Sequence, residues 1–117
     1  MANIGDLRKF QGAYFHALHI ESYHVDLEVA IISEQEPPRF YRLRITDYGD
    51  FTIRTSGLYE HAMRSLQIER ADFTPHVDDD YRETGKLNAT LHLRGREGTM
   101  DIAIHAAPWE LEEKKFG

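Results

Sequence analysis

The sequence predicts a single mainly β domain: six to seven antiparallel strands, arranged as a sandwich or partly open barrel, with short helical turns near the termini. Three observations carry this. Apolar residues recur at every second position over most of the chain, the spacing of half-buried strands. Turn residues punctuate the alternation at short intervals. The intervening positions are polar, which argues against a parallel sheet, whose strands are apolar on both faces. With 117 residues, 41% of them hydrophobic, one domain spans residues 1–117 and buries enough surface to fold alone.

At the N-terminus, Asp6 to Phe10 reads as a short helix capped by Asp6. Beyond Gly12, Leu18 and Ile20 alternate with His19 and Glu21; Tyr23, Val25, Leu27, Val29 and Ile31 then alternate with His24, Asp26, Glu28 and Ala30. This is one long strand or two joined by a bend. The side-chain parity changes between Ile20 and Tyr23, and a bulge near Ser22 accounts for it.

Glu34-Gln35-Glu36-Pro37-Pro38 is a turn, because neither proline can donate to a ladder. Phe40 to Thr46 and Phe51 to Thr55 read as a hairpin around Asp47-Tyr48-Gly49-Asp50, with Tyr41, Leu43 and Ile45 meeting Phe51 and Ile53. Leu58 to Arg64 fits either a helical turn or an irregular edge. In the next strand Leu66, Ile68, Arg70 and Asp72 share one face, and Gln67, Glu69, Ala71 and Phe73 the other.

Thr74 to Gly85 reads as the longest polar loop and contains Asp78-Asp79-Asp80. Leu87, Ala89, Leu91 and Leu93, then Met100, Ile102, Ile104 and Ala106, make the best-defined hairpin, around the glycine-bearing turn Arg94 to Thr99. Pro108 ends the sheet. Trp109 to Lys115 reads as a last helical turn, with Trp109, Leu111 and Phe116 docking on the core.

Composition excludes several functions. The formal net charge is −6, and the 14 basic residues are dispersed. No basic surface exists to neutralise phosphates, and no basic amphipathic helix to meet a membrane, so neither nucleic acid nor membrane is an expected partner. An acidic domain instead suits a basic protein partner. The absence of cysteine removes disulfides, thiolate metal sites and cysteine nucleophiles. Met1 to Asp6 lacks the basic and apolar regions of a signal peptide, which makes the cytoplasm the expected compartment.

No nucleophile elbow, phosphate loop or dinucleotide fingerprint occurs, so the expectation is a non-catalytic protein without a cofactor. The seven histidines are the compositional oddity. His16 and His19 converge only on a helix; in a strand they face opposite ways. Pairing Leu93 with Met100 sets His92 opposite Asp101, with His105 further along the same face. His92, Asp101 and His105 are thus the candidate metal or acid–base group of a metal protein or hydrolase, against the plainer reading of a cross-strand polar pair. Asp78, Asp79 and Asp80 lack the alternate spacing and glycine of a calcium loop and read instead as a contact surface. Aromatics, 11% of the chain, allow an apolar-ligand carrier as a further alternative. An exposed edge strand would permit a homodimer.

One segment order points to a family. Tyr14-Phe15-His16-Ala17-Leu18-His19-Ile20-Glu21-Ser22 precedes a long strand, followed by Tyr41-Arg42-Leu43-Arg44-Ile45 and later Ser65-Leu66-Gln67-Ile68-Glu69. This order resembles the Imm50-like class of small bacterial proteins, the predicted immunity proteins of polymorphic toxin systems. There a Phe-His-Asp-Ala-type motif leads into the first strand and a later strand reads Leu-x-Ile-Glu; here Ala17 directly follows His16. The resemblance implies an immunity protein that masks a toxin, with His16 as a contact. The acidic segments Asp78 to Asp80 and Glu34 to Glu36 would then meet a basic toxin surface.

Overall fold

The computed structural model describes residues 3–47, 50–57 and 66–114. A 3₁₀ helix, Ile4–Phe10, precedes eight strands: β1 Tyr14–Ile20, β2 His24–Ile31, β3 Arg39–Thr46, β4 Asp50–Ser56, β5 Gln67–Val77, β6 Glu83–Arg94, β7 Thr99–Ala107 and β8 Trp109–Lys114. All pairings are antiparallel, within one open sheet of order β4-β7-β6-β5-β1-β2-β3-β8. The mainly β class is as expected. The strand number is eight rather than six or seven, and the strands form one open sheet with β4 and β8 as its edges.

A narrow seam joins the sheet's two runs, β4-β7-β6-β5 and β1-β2-β3-β8. The β1–β5 ladder contains the single pair Tyr14 and Gln67. Around it the Gly12 and Phe15 amides donate to the Ile68 and Leu66 carbonyls, both at 2.9 Å, and the Ile68 amide donates to the Ala13 carbonyl at 2.7 Å. Side chains extend the seam. Gln67 Nε2 donates to the Gly12 carbonyl at 2.9 Å. The Gln11 amide group donates to the Glu69 carbonyl and accepts from the Ala71 amide at 2.8 Å. Glu69 is a bulge in β5, so Gln11 serves the backbone groups that β1 no longer reaches.

The inward face carries one continuous core. Leu27 and Val29 of β2, Leu43 and Ile45 of β3, Leu91 and Leu93 of β6 and Ile102 of β7 belong to it, all at most 2% exposed. Leu7 and Phe10 of the helix are fully buried in the same cluster. The helix begins at Asn3, whose amide donates to Asp6 Oδ2 at 2.8 Å. Asp6 therefore closes the first turn from within the helix rather than standing as its cap.

Several expectations are corrected. The parity change before β2 comes from a reverse turn, where the Glu21 amide donates to the His24 carbonyl; Tyr23 lies on that turn, 86% exposed. The bulge of β1 falls at His16 instead. β3 and β4 do not form a hairpin. β3 pairs with β2 and β8, and β4 pairs with β7 at the other end of the sheet. Matching alternation on both strands cannot distinguish a neighbour across a ladder from one across the core; Phe51 and Ile53 do pack on the cluster holding Tyr41, Leu43 and Ile45.

The Glu69 bulge reverses the parity of β5, so Ile68, Ala71 and Phe73 face inward. Thr74 to Gly85 is largely strand, closed by a tight turn after Val77. Trp109 to Lys114 is a strand paired to β3 rather than a helical turn: with alternate Trp109 and Leu111 facing inward, ladder bonds along β3 satisfy its backbone. The expectations for Tyr48, Gly49, Leu58 to Arg64, Lys115 and Phe116 lie outside the described residues. Among the described residues no helix is long and apolar enough to cross a membrane.

Gln11→Ala should remove both seam contacts and lower stability by about 1 kcal/mol, read as a fall in the urea midpoint. An unchanged midpoint would show that solvent serves those backbone groups equally well.

Candidate functional site

The outward face divides at the seam into two surfaces of different character. On β1-β2-β3-β8, Asp26 and Glu28 are the charged residues buried among the described positions, each 6% exposed. They alternate with the inward Val25, Leu27 and Val29, so β2 is covered on both faces. Long cations from neighbouring strands cover the acids. Arg44 holds Asp26 with two prongs, Nε to Oδ1 at 2.8 Å and Nη2 to Oδ2 at 3.0 Å. Lys114 of β8 donates to Glu28, with His19 Nε2 at 3.5 Å from the same carboxylate. His24 lies 3.5 Å from Asp26, and Arg42 pairs with Glu112.

The Arg44 hydrogen bonds hold the Asp26 carboxyl below its ordinary value, outweighing the burial that would raise it. Burial pushes the Glu28 carboxyl up, but the hydrogen bond and charge of Lys114, with His19 and His16, bring it below the ordinary value on balance. No buried side-chain nitrogen or oxygen lacks a partner among the described residues. This cluster is a satisfied structural network, with no polar group aimed at a ligand.

The outward face of β5-β6-β7-β4 is open. Three contiguous depressions, of about 340, 580 and 360 Å³, cross it; Thr90 lines all three, and Thr52, Asp72, Asp101 and Ala103 each line two. Their floor is the cross-strand pair Thr90 and Ala103. None of the three is lined by phenylalanine, tyrosine or tryptophan, so they do not offer the aromatic cavity that an apolar-ligand carrier needs.

The structure brings His92 and Asp101 together in the expected register, Leu93 opposite Met100. His92 Nδ1 lies 2.5 Å from Asp101 Oδ1, and its Nε2 lies 3.4 Å from Glu69, which also faces Arg94 Nε at 3.3 Å. His105 does not join them. It stands four residues along β7, about 13 Å away by strand geometry, with its ring edge-on to His76 at 5.3 Å. Both His92 ring nitrogens thus face carboxylates across the ladder, the plain cross-strand polar pairing with one further acid added. Among the described residues no group of three histidines or carboxylates is placed to hold a metal ion. Glu69, the partner not anticipated, reaches His92 because of the β5 bulge, whose only mark in the sequence is the change of apolar parity from Leu66 and Ile68 to Ala71 and Phe73.

The remaining candidates lie on three separate elements. His16, at the β1 bulge, packs edge-on against Phe40 at 5.2 Å. Glu34 and Glu36 are exposed on the β2–β3 loop, with Glu36 3.6 Å from Arg39. Asp78, Asp79 and Asp80 close the β5–β6 ribbon. Asp78 Oδ1 accepts from the Asp80 amide at 2.9 Å and the Arg82 amide at 3.0 Å, so this carboxylate builds the turn. Asp79 and Asp80 are exposed, and so is Tyr81, 88% exposed with φ at 61°.

The ribbon is an arm. The β6–β7 ladder stops at Leu87 and Ala107, while β5 and β6 continue pairing to Val77 and Glu83. Residues 75–86 are exposed apart from half-buried His76. The sequence does not single out Tyr81, because nothing in its spacing separates a displayed tyrosine from a core one. No family model, curated protein or solved structure matches this chain.

Lowered carboxyl values fix the sign of the acid response. The unfolded chain takes up protons near the ordinary values of 3.8 for Asp26 and 4.5 for Glu28, before the folded chain does. Their stabilisation is therefore complete at neutral pH and lost as pH falls through and below this range. The urea midpoint should drop over that window, and a combined Asp26→Asn and Glu28→Gln variant should show a flatter profile. At neutral pH Asp26→Ala alone should cost about 1–2 kcal/mol, the upper end discounted for the partial exposure of Arg44.

Proposed function

We propose that this chain is a non-catalytic binding domain that docks a basic protein partner on the tip of its β5–β6 arm. The observation that carries this reading is Tyr81, displayed beyond the core between exposed Asp80 and Arg82 on a turn held by Asp78. A tyrosine supplies a large, stiff contact surface with a polar end, the kind of group that anchors interfaces. Asp79 and Asp80 beside it favour a cationic partner and speed its approach. Glu34 and Glu36 add negative charge on a separate loop.

The finer form of the proposal follows the Imm50-like resemblance: an immunity protein, acting in the cytoplasm, that masks a basic toxin, with His16 as a further contact.

The test retains Asp78, so that the turn survives, and combines Asp79→Lys, Asp80→Lys and Tyr81→Ala. Wild-type and substituted chains are immobilised, and proteins captured from the source cell's lysate are identified by mass spectrometry. A basic protein captured by the wild type should bind the variant at least ~10-fold more weakly, and salt should weaken the wild-type complex. Capture of the same proteins by both chains, or of no basic protein by either, would sink the proposal.

A further inference from the structure

The two edges of the open sheet are unlike. β8 carries Glu110, Glu112 and Glu113, charges that discourage a second strand from pairing there. β4 reads Asp50-Phe51-Thr52-Ile53-Arg54-Thr55-Ser56: no proline, no lysine, three β-branched residues, and alternating half-buried and exposed positions from Asp50 to Arg54. Such an edge is a template for another strand.

We infer that β4 pairs antiparallel with β4 of a second copy of this chain, about a two-fold axis at Thr52. The register follows from two requirements. Residues directly opposed in an antiparallel ladder share a face, so the inward faces of the copies align only when an inward residue meets an inward one. Placing the axis on Thr52 does this, setting Phe51 beside Ile53 of the second copy and Ile53 beside its Phe51. The same register sets Asp50 against Arg54 of the second copy, and Arg54 against its Asp50. Moving the axis to Ile53 keeps the faces aligned but puts Arg54 opposite Thr52 and loses both charge pairs.

Asp50 and Arg54 are exposed and have no ion-pair partner among the described residues. Both also line the outward depressions. The second copy's Arg54 thus reaches the rim of the depression that Asp50 borders, and the two polar faces become one continuous surface. The pairing is independent of the arm. It is short, which places the dimer at the small end of specific interfaces and its dissociation constant on the order of micromolar.

Sedimentation velocity on the full chain, from about 1 to about 500 µM, should show a monomer passing into a dimer. Asp50→Arg alone and Arg54→Asp alone each place like charges opposite one another in the dimer, and each should weaken it about 10-fold or more. Mixed together, the two variants oppose arginine to aspartate at both pairs, and a heterodimer should form within about 3-fold of wild-type affinity. Far-ultraviolet circular dichroism confirms that each variant remains folded. A wild-type chain that stays monomeric throughout overturns the inference. So does a dimer that survives both single changes, or a mixture of the two folded variants that fails to associate.

Discussion

The structure depends on a few hydrogen bonds between the start of β1 and the start of β5. The strands of each run pair along most of their lengths, but the runs meet through one residue pair, three amide–carbonyl bonds and two glutamine side chains. A ladder this short cannot hold two four-strand runs by hydrogen bonding alone, since each such bond contributes only about 1 kcal/mol net. The shared core holds them. Leu7 and Phe10 pack into the cluster just before the seam, so burying the helix also places Gln11, Gly12 and Ala13 beside β5. The seam sets the register of the runs, and the core supplies the adhesion.

That division explains why the two outward faces differ. On β2, strands on both sides and the long cations of β3 and β8 remove Asp26 and Glu28 from water. A covered acid must be paired, and both are. On β5-β6-β7-β4 the central residues are short, Thr90 and Ala103, and nothing on the sheet reaches across them. One face is therefore filled by its own side chains and committed to stability, while the other is left as open polar relief. The arm extends this second surface, because β5 and β6 go on pairing past the end of β7.

Much of the fold is legible in the alternation of apolar residues, and the exceptions are instructive. From its turn as far as Ala89 and Ile104 the β6–β7 hairpin could be read down to its register, because Ala89 to Leu93 and Met100 to Ile104 alternate cleanly around a short turn; beyond them a register shift sets Ala107, not the expected Ala106, in the core opposite Leu87. Its partnership of His92 with Asp101 was legible for the same reason. What could not be read was whatever depends on one extra residue or a distant partner. The bulges at His16 and Glu69 shift the apolar parity, from Phe15 to Leu18 and from Ile68 to Ala71 and Phe73, but the pattern does not say which residue is the extra one; the second bulge reverses which side of β5 carries Arg70 and brings Glu69 to His92. β8 resembled a helical turn because its partner, β3, lies far back in the chain. The arm resembled a loop because its residues are polar on both sides, as a two-stranded ribbon beyond the core must be.

The exchange of neighbours between β3 and β4 also governs how the chain must fold. Arg42 and Glu112, paired across β3 and β8, are 70 residues apart, and Glu28 and Lys114 are 86 apart. Closing such long loops is slow, because chain entropy is lost before any contact compensates it. During synthesis β1, β2 and β3 can form their local meander early, but β3 then waits with an open edge, and Glu28 waits without its lysine, while four further strands emerge. The segment that completes that side of the sheet, β8, is made after the other seven described strands, so the nascent chain passes through a stage in which this acidic strand partner is still missing and the outer edge of β3 is open to other chains.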